Sequence, residues 1–269
     1  MTETIRVAVA AHKPYRMPAD SVYLPLHVGR ALHPENVEAM GPAFIGDDTG
    51  NSISALNAQY SELTELYWIW KNLDAGYKGL VHYRRHFATT NSQKKHSRDR
   101  FERIATGDDF RVALSKAPVV VPVARNYVIE TIESHYRHTM PGEQVDIVRA
   151  VIADSQPAFA PALDEVLSST KAHMFNMFVM RSDLLNDYCL WLFPLLNEIT
   201  RHLDPSQYDS FNARYPGRVS EWLLDVWLKT MDIPYVEMRT TSPEPVNWGR
   251  KGTAFLAAKF LGHKYDGSF

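Results

Sequence analysis

The residues with the densest chemical potential sit in one short stretch, Gly79-Leu80-Val81-His82-Tyr83-Arg84-Arg85-His86-Phe87, where an apolar run turns into cationic and aromatic side chains. Adjacent arginines offer planar donor forks matched to phosphate or carboxylate oxygens, and His82 and His86 add hydrogen bonds or a titratable proton. The stretch reads as a buried strand that delivers an anion site, with a structural ion-pair cluster as the plain alternative. If the backbone stays extended through Phe87, His82, Arg84 and His86 share one face, and Tyr83, Arg85 and Phe87 the other.

Other residues could join this chemistry. His12 and Lys13 follow the β-branched run Ile5 to Ala11, at a strand end where α/β proteins place nucleotides; an exposed loop is the alternative. In Gly46-Asp47-Asp48-Thr49-Gly50-Asn51 the paired carboxylates read first as a turn and second as a divalent-cation site. Asn57, Tyr60, Ser61, Glu62 and Thr64 lie toward the start of a predicted helix, where the dipole favours anions, although capping also explains them. Asn176 interrupts an apolar run and needs hydrogen-bond partners from the backbone or a ligand. Ser220 and Glu221 occupy the first turn of an amphipathic helix, where a carboxylate is stabilised by the dipole and could serve as a base.

The elements that must position these groups alternate between strand and helix. Strands are predicted at Ile5–Ala11, around Leu80, at Pro118–Pro122, at His173–Met180 and at Ile233–Arg239. Helices are predicted at Asn57–Leu73, Arg100–Lys116, Val128–Met140, Gln144–Ala153, Leu184–Leu203 and from Arg218. Met17–Ile53 is rich in proline and reads as loop, and Thr89–Asp99 as a mobile loop or lid. The pattern implies one α/β domain over 1–269, with a mostly parallel central sheet flanked by helices and a basic, aromatic tail from about 249 to 269 as a candidate peripheral segment.

Composition narrows the function. The 269 residues suffice for a real core, and 29 Lys plus Arg against 31 Asp plus Glu give a formal net charge of -2, which argues against a nucleic-acid partner. Any anion site must therefore be local. Cys189 is the one cysteine, which excludes an internal disulfide and fits a reducing cytoplasm. The amino-terminal residues carry no secretory apolar region, and no run approaches the roughly 18 apolar residues of a spanning helix, so membrane contact is expected to be peripheral at most.

Several stretches together resemble the bacterial capsular and exopolysaccharide biosynthesis glycosyltransferases long listed as a domain of unknown function. They are Ala11-His12-Lys13 with Met17-Pro18, Tyr23-Leu24-Pro25-Leu26-His27-Val28-Gly29, Asp48-Thr49-Gly50-Asn51-Ser52-Ile53-Ser54 with Asn57, Tyr60-Ser61-Glu62-Leu63-Thr64 and Tyr67-Trp68-Ile69-Trp70-Lys71-Asn72. The cationic stretch itself, His173-Met174-Phe175-Asn176-Met177 and Ser220-Glu221-Trp222-Leu223-Leu224 complete the set.

The resemblance implies a GT-A-like fold and transfer of galactose or galactofuranose from a uridine diphosphate (UDP) donor, with inversion, to a glycan acceptor. It further implies capsular, exopolysaccharide or O-antigen synthesis on a lipid-linked acceptor, in the cytoplasm or at the inner membrane face. Members of that fold typically hold a divalent metal by Asp-x-Asp after a central strand, whereas here the corresponding place carries His82-Tyr83-Arg84-Arg85. Metal-independent transfer is thus the expectation, with manganese or magnesium as the alternative. On this reading His82, Arg84 and Arg85 bind the diphosphate, and His12, Lys13 and Asn57 surround the nucleotide. Asn176, Tyr83 and Glu62 meet sugar or acceptor. Glu221 is the base, with Asp225 and then Asp48 in reserve.

Two other readings compete. A metal-dependent phosphoesterase would use His82, His86, Asp47 and Asp48, although no compact ligand motif joins them. A non-catalytic carbohydrate-binding or scaffold protein would grip acidic glycans with the arginines and would have no use for UDP.

Overall fold

A computed structural model of the chain describes residues 4–244. The tail read over 249–269 lies outside these residues. In chain order the strands are β1 (Ile5–Ala11), β2 (Tyr23–His27), β3 (Ile45–Gly46), β4 (Tyr77–His82), β5 (His86–Phe87), β6 (Val119–Pro122), β7 (Arg125–Asn126), β8 (Lys171–Ala172), β9 (Phe178–Arg181), β10 (Tyr235–Met238) and β11 (Thr240–Thr241). The helices are α1 (Val37–Met40), α2 (Asn57–Tyr60), α3 (Leu63–Asn72), α4 (Gly107–Leu114), α5 (Ile132–Thr139), α6 (Glu143–Ser155), α7 (Ala160–Ser168), α8 (Ser182–His202) and α9 (Tyr215–Thr230).

Seven strands form the central sheet in the order β10-β6-β9-β4-β1-β2-β3. β9 runs antiparallel to both β4 and β6, and the other pairings are parallel. Alternation along the strands feeds two cores. Ala8, Ala10 and Leu80 face the layer that contains Leu66, Leu192 and Trp222, while Val7, Val9 and Val81 face the layer of Phe87, Ile104 and Phe110. Strand order reverses between β1, which leads to β2 on one side, and β4 on the other. The crevice beyond those two strand ends is where open α/β sheets receive ligands.

Six expectations change in detail. The predicted helix over 100–116 is a short 3-10 turn at Arg100–Arg103 and, after a break, α4 capped by Thr106. β2 lies inside the stretch read as loop: Pro25 pairs with Val9 of β1, but β3 reaches only Leu26 and His27, so the missing N–H of Pro25 interrupts no ladder on that side. The predicted helix over 57–73 is broken at Ser61 (φ 51°) into α2 and α3. A Cβ on Gly217 would stand 3.1 Å from the Tyr60 carbonyl oxygen, so glycine there lets α9 approach this break closely. The predicted strand over 173–180 is reduced to β9, because Phe175 (φ 88°) and Asn176 (φ 48°) form a left-handed turn.

The predicted helix over 128–140 starts only at Ile132, where Thr131 caps it by accepting the Ser134 N–H at 3.0 Å. The loop after Phe87 is anchored at its start, where the Thr89 and Thr90 hydroxyls both donate to Asp109. Among the described residues no helix is long and apolar enough to cross a membrane.

Candidate active site

β4 ends at His82 in a tight turn. The His82 N–H donates to the Arg85 carbonyl at 3.1 Å and the Arg85 N–H returns to the His82 carbonyl at 2.8 Å. The extended reading through Phe87 therefore fails, because reciprocal bonds reverse the chain. His82 and Arg85 become cross-turn partners, Arg84 is left exposed at the tip, and Tyr83, His86 and Phe87 are buried.

Tyr83 is a platform for the cations at the β1 end. Its hydroxyl is buried, while its ring takes the edge of His12 at 5.2 Å between centroids, with Lys13 Nζ at 5.0 Å and the Arg84 guanidinium at 5.2 Å. His86 turns inward to Tyr15, whose hydroxyl lies 2.8 Å from Nε2, and burial drives its pKa down to about 3. It is neutral in the core and is not available to a metal.

The hub of the site is the left-handed turn at Phe175 and Asn176, which faces the β4 turn across the sheet edge. His82 Nε2 donates to the Phe175 carbonyl at 2.6 Å, and the Arg85 guanidinium lies over the Phe175 ring at 3.5 Å from its centre. Asn176 Nδ2 donates to Glu62 Oε1 at 2.7 Å and to the Gly217 carbonyl at 2.8 Å, while its Oδ1 accepts from the Ser220 hydroxyl at 3.0 Å. The interruption noted in the sequence thus serves protein groups, and it brings Glu62 from the start of α3 to the start of α9. Left-handed backbone at non-glycine residues costs on the order of 1–3 kcal/mol each and persists where the surroundings impose it.

Glu221 joins this hub through the Phe175 N–H. Burial first, and then the field of Glu62, raise its pKa to about 7, against the opposing pull of the Phe175 N–H, Arg85 and Arg218. A half-buried carboxyl poised near neutrality between arginines and a second carboxylate is suited to proton transfer. His82 is held neutral chiefly by burial, with Arg85 also lowering its pKa against Glu62. Glu65, further along α3, is fully buried; burial, then Asp47 and Glu62, raise its pKa well above the ordinary range.

Cations crowd the β1 end. Burial lowers the pKa of His12, and the fields of Arg84, Lys13, Arg214 and His33 lower it further. Among the described residues neither Arg84 nor Arg85 is in an ion pair, whereas Lys13 pairs with Glu244 at 3.3 Å. Arg214, held by Ser61 Oγ at 3.0 Å, and Arg218, stacked on Phe211 at 3.8 Å, were not singled out in the sequence. Their signal was present: cations at the start of a helix oppose its dipole and call for another reason to be there.

Three named residues serve the scaffold. Asn57 Nδ2 donates to the Ser61 carbonyl at 2.7 Å, and its side chain fills the space where a Cβ on Gly29 (φ 70°) would come within 2.4 Å of Oδ1. Asp47 is fully buried and accepts from Gly29 N, Arg30 N, Ser54 Oγ and Thr64 Oγ1, and Asp48 pairs with Arg30 at 2.6 Å. These carboxylates are taken up by protein donors. Asp225, one turn beyond Glu221, bonds to His173 and lines a separate cavity with Glu237. After β4 the donor set is two guanidinium groups and an imidazole whose Nε2 serves a carbonyl, which does not fit a divalent cation.

No curated protein matches the chain. Among solved structures it is similar to the one titled WbbM bifunctional glycosyltransferase, in its apo form, at TM-score 0.78 and 24% identity over 89% of this chain. The match takes in 45% of that protein, so the chain spans less than half its length. The likeness is one of fold, and with the mostly parallel sheet and its flanking helices it makes this a GT-A-like domain. The sequence also matches the family described as a domain of unknown function, DUF4422, over residues 6–232, a span that includes both the β4 turn and the Glu221 hub. The chain belongs to that family.

Proposed function

We propose that the chain is a glycosyltransferase that moves a hexose, galactose or galactofuranose, from a UDP-sugar to a glycan acceptor with inversion. The observation that carries this reading is Glu221: a half-buried carboxyl with a pKa raised to about 7, set beside Glu62 and Arg85 where the β4 turn meets the turn before β9. The printed name of the WbbM neighbour supports sugar transfer in general.

In the proposed reaction Arg84 and Arg85, with His12 at the β1 end, hold the diphosphate. Ionised Glu221 takes the proton of the acceptor hydroxyl as its oxygen bonds to the anomeric carbon. The bond from that carbon to the phosphate oxygen breaks, its electron pair leaves with UDP, and the arginines meet the charge that develops on the departing phosphate. No step is routed through a metal. The acceptor belongs, on this reading, to a lipid-linked capsular, exopolysaccharide or O-antigen glycan.

The test is UDP release from a panel of UDP-sugars in the presence of chelator, with and without candidate glycans. Release selective for UDP-galactose or UDP-galactofuranose and lost in Glu221→Gln supports the reading. Release unaffected by that substitution removes Glu221 as base, and failure of every donor removes the transferase assignment.

A further inference from the structure

His173 is buried, and each of its ring nitrogens meets a carboxylate: Nδ1 lies 2.5 Å from Asp225 Oδ1 and Nε2 lies 3.0 Å from Glu237 Oε1. A neutral imidazole carries one N–H, so donation to both partners requires the imidazolium form. The backbone N–H of His173 also donates to Asp225 Oδ2 at 2.8 Å. Two residues later the chain enters the left-handed turn that carries the site.

The geometry of this segment explains what the clamp does. Residues 173–176 lie along about two turns of α9 and are bound to it at both ends: Asn176 to Gly217 and Ser220 at one end, His173 to Asp225 at the other. Between these anchors, the Phe175 N–H serves Glu221 and its carbonyl serves His82. We infer that His173 is a positioning residue: shared between Asp225 and Glu237, its imidazolium pins the Phe175–Asn176 turn to α9 and β10 and so keeps His82, Arg85 and Glu221 in register. For the reaction itself this rests on the transferase reading above.

The surroundings of the ring set the sign of its pH dependence. Burial disfavours its charge, and the hydrogen bonds and fields of Asp225 and then Glu237 outweigh that cost and raise its pKa. Tyr235 of β10 packs edge-on at 4.9 Å, and Lys171, Lys229, Glu165 and Asp232 line the adjoining cavity of about 500 Å³. The clamp is therefore complete below pH 6.5 and is lost as pH rises through the higher folded-state value.

The test combines ¹⁵N-histidine NMR with kinetics on the full chain. The His173 signals, identified by their loss in His173→Gln, should titrate above pH 6.5, and at lower pH in Glu237→Gln. His173→Gln should lower kcat for UDP release at least tenfold and remove an alkaline fall in kcat that the wild type shows. A His173 ring that is already neutral at pH 6, or a His173→Gln enzyme with wild-type kcat and the wild-type alkaline limb, overturns the inference. Wild-type protein that releases no UDP from any donor refutes the transferase reading instead, and the NMR titration then decides the clamp by itself.

Discussion

The Phe175 carbonyl oxygen lies 2.6 Å from His82 Nε2, so the end of one central strand is tied to a strained turn that precedes its antiparallel neighbour. The bond fixes the proton of the neutral imidazole on Nε2 and leaves Nδ1 bare. It also holds the Phe175 ring under Arg85. The strand end, the arginine and the turn that supports Glu221 therefore behave as one unit.

Glu221→Gln should reduce turnover by about 10²–10⁴-fold, the usual contribution of a general base, while UDP affinity stays near wild type. In His173→Gln, which lacks the alkaline limb, kcat should rise with pH through about 7, as Glu221 ionises. Steady-state rates from pH 5.5 to 8.5 check both statements.

The same shift carries a stability signature of defined sign. The folded state prefers protonated Glu221, so ionising it above the unfolded carboxylate pKa costs stability, and the cost is complete once pH passes about 7. Glu221→Gln should therefore unfold at a higher temperature than wild type at pH 8, with the difference shrinking at pH 5. Equal midpoints at both pH values would mean that the carboxyl is not destabilised where it sits.

Asn176→Asp separates the backbone role of this residue from its amide. Aspartate tolerates left-handed backbone, but it replaces the donor to Glu62 and Gly217 by an acceptor and sets two carboxylates against each other. Denaturant unfolding at pH 8 should show a loss of about 2 kcal/mol or more, partly recovered at pH 4.5.

Asp47→Asn distinguishes scaffold from metal ligand. Four protein donors converge on this carboxylate, and exchanging one oxygen for an amide should cost about 2 kcal/mol in urea unfolding. The loss should be the same with manganese or with chelator. A manganese-dependent difference would restore Asp47 as a ligand.

Much of this molecule was legible from side-chain pattern alone. β1 falls on the predicted residues because Ile5 and the unbroken run Val7 to Ala11 are apolar, and α8 follows its long apolar stripe. The cationic stretch was read at a strand end, and β4 does end within it, at His82. What the pattern could not convey were long-range ties: nothing local to Ser61 or Phe175 predicts positive φ, since α9 imposes both through Gly217, Ser220 and Glu221. For the same reason Asn57, Asp47 and Tyr83 looked like ligand contacts. Their residue types suit ligands, and only the folded chain reveals that protein groups occupy the polar atoms of Asn57 and Asp47 and that the Tyr83 hydroxyl is buried.

The central claim, that the arginines at the β4 turn hold a nucleoside diphosphate without a metal, is tested most directly by calorimetric titration of UDP in chelator-containing buffer, for wild type, Arg84→Ala and Arg85→Ala. The account predicts binding by wild type, weakened about tenfold or more in either variant, as expected when a charge-assisted pair is lost. Absence of wild-type binding in chelator, or unchanged affinity in both variants, would contradict it.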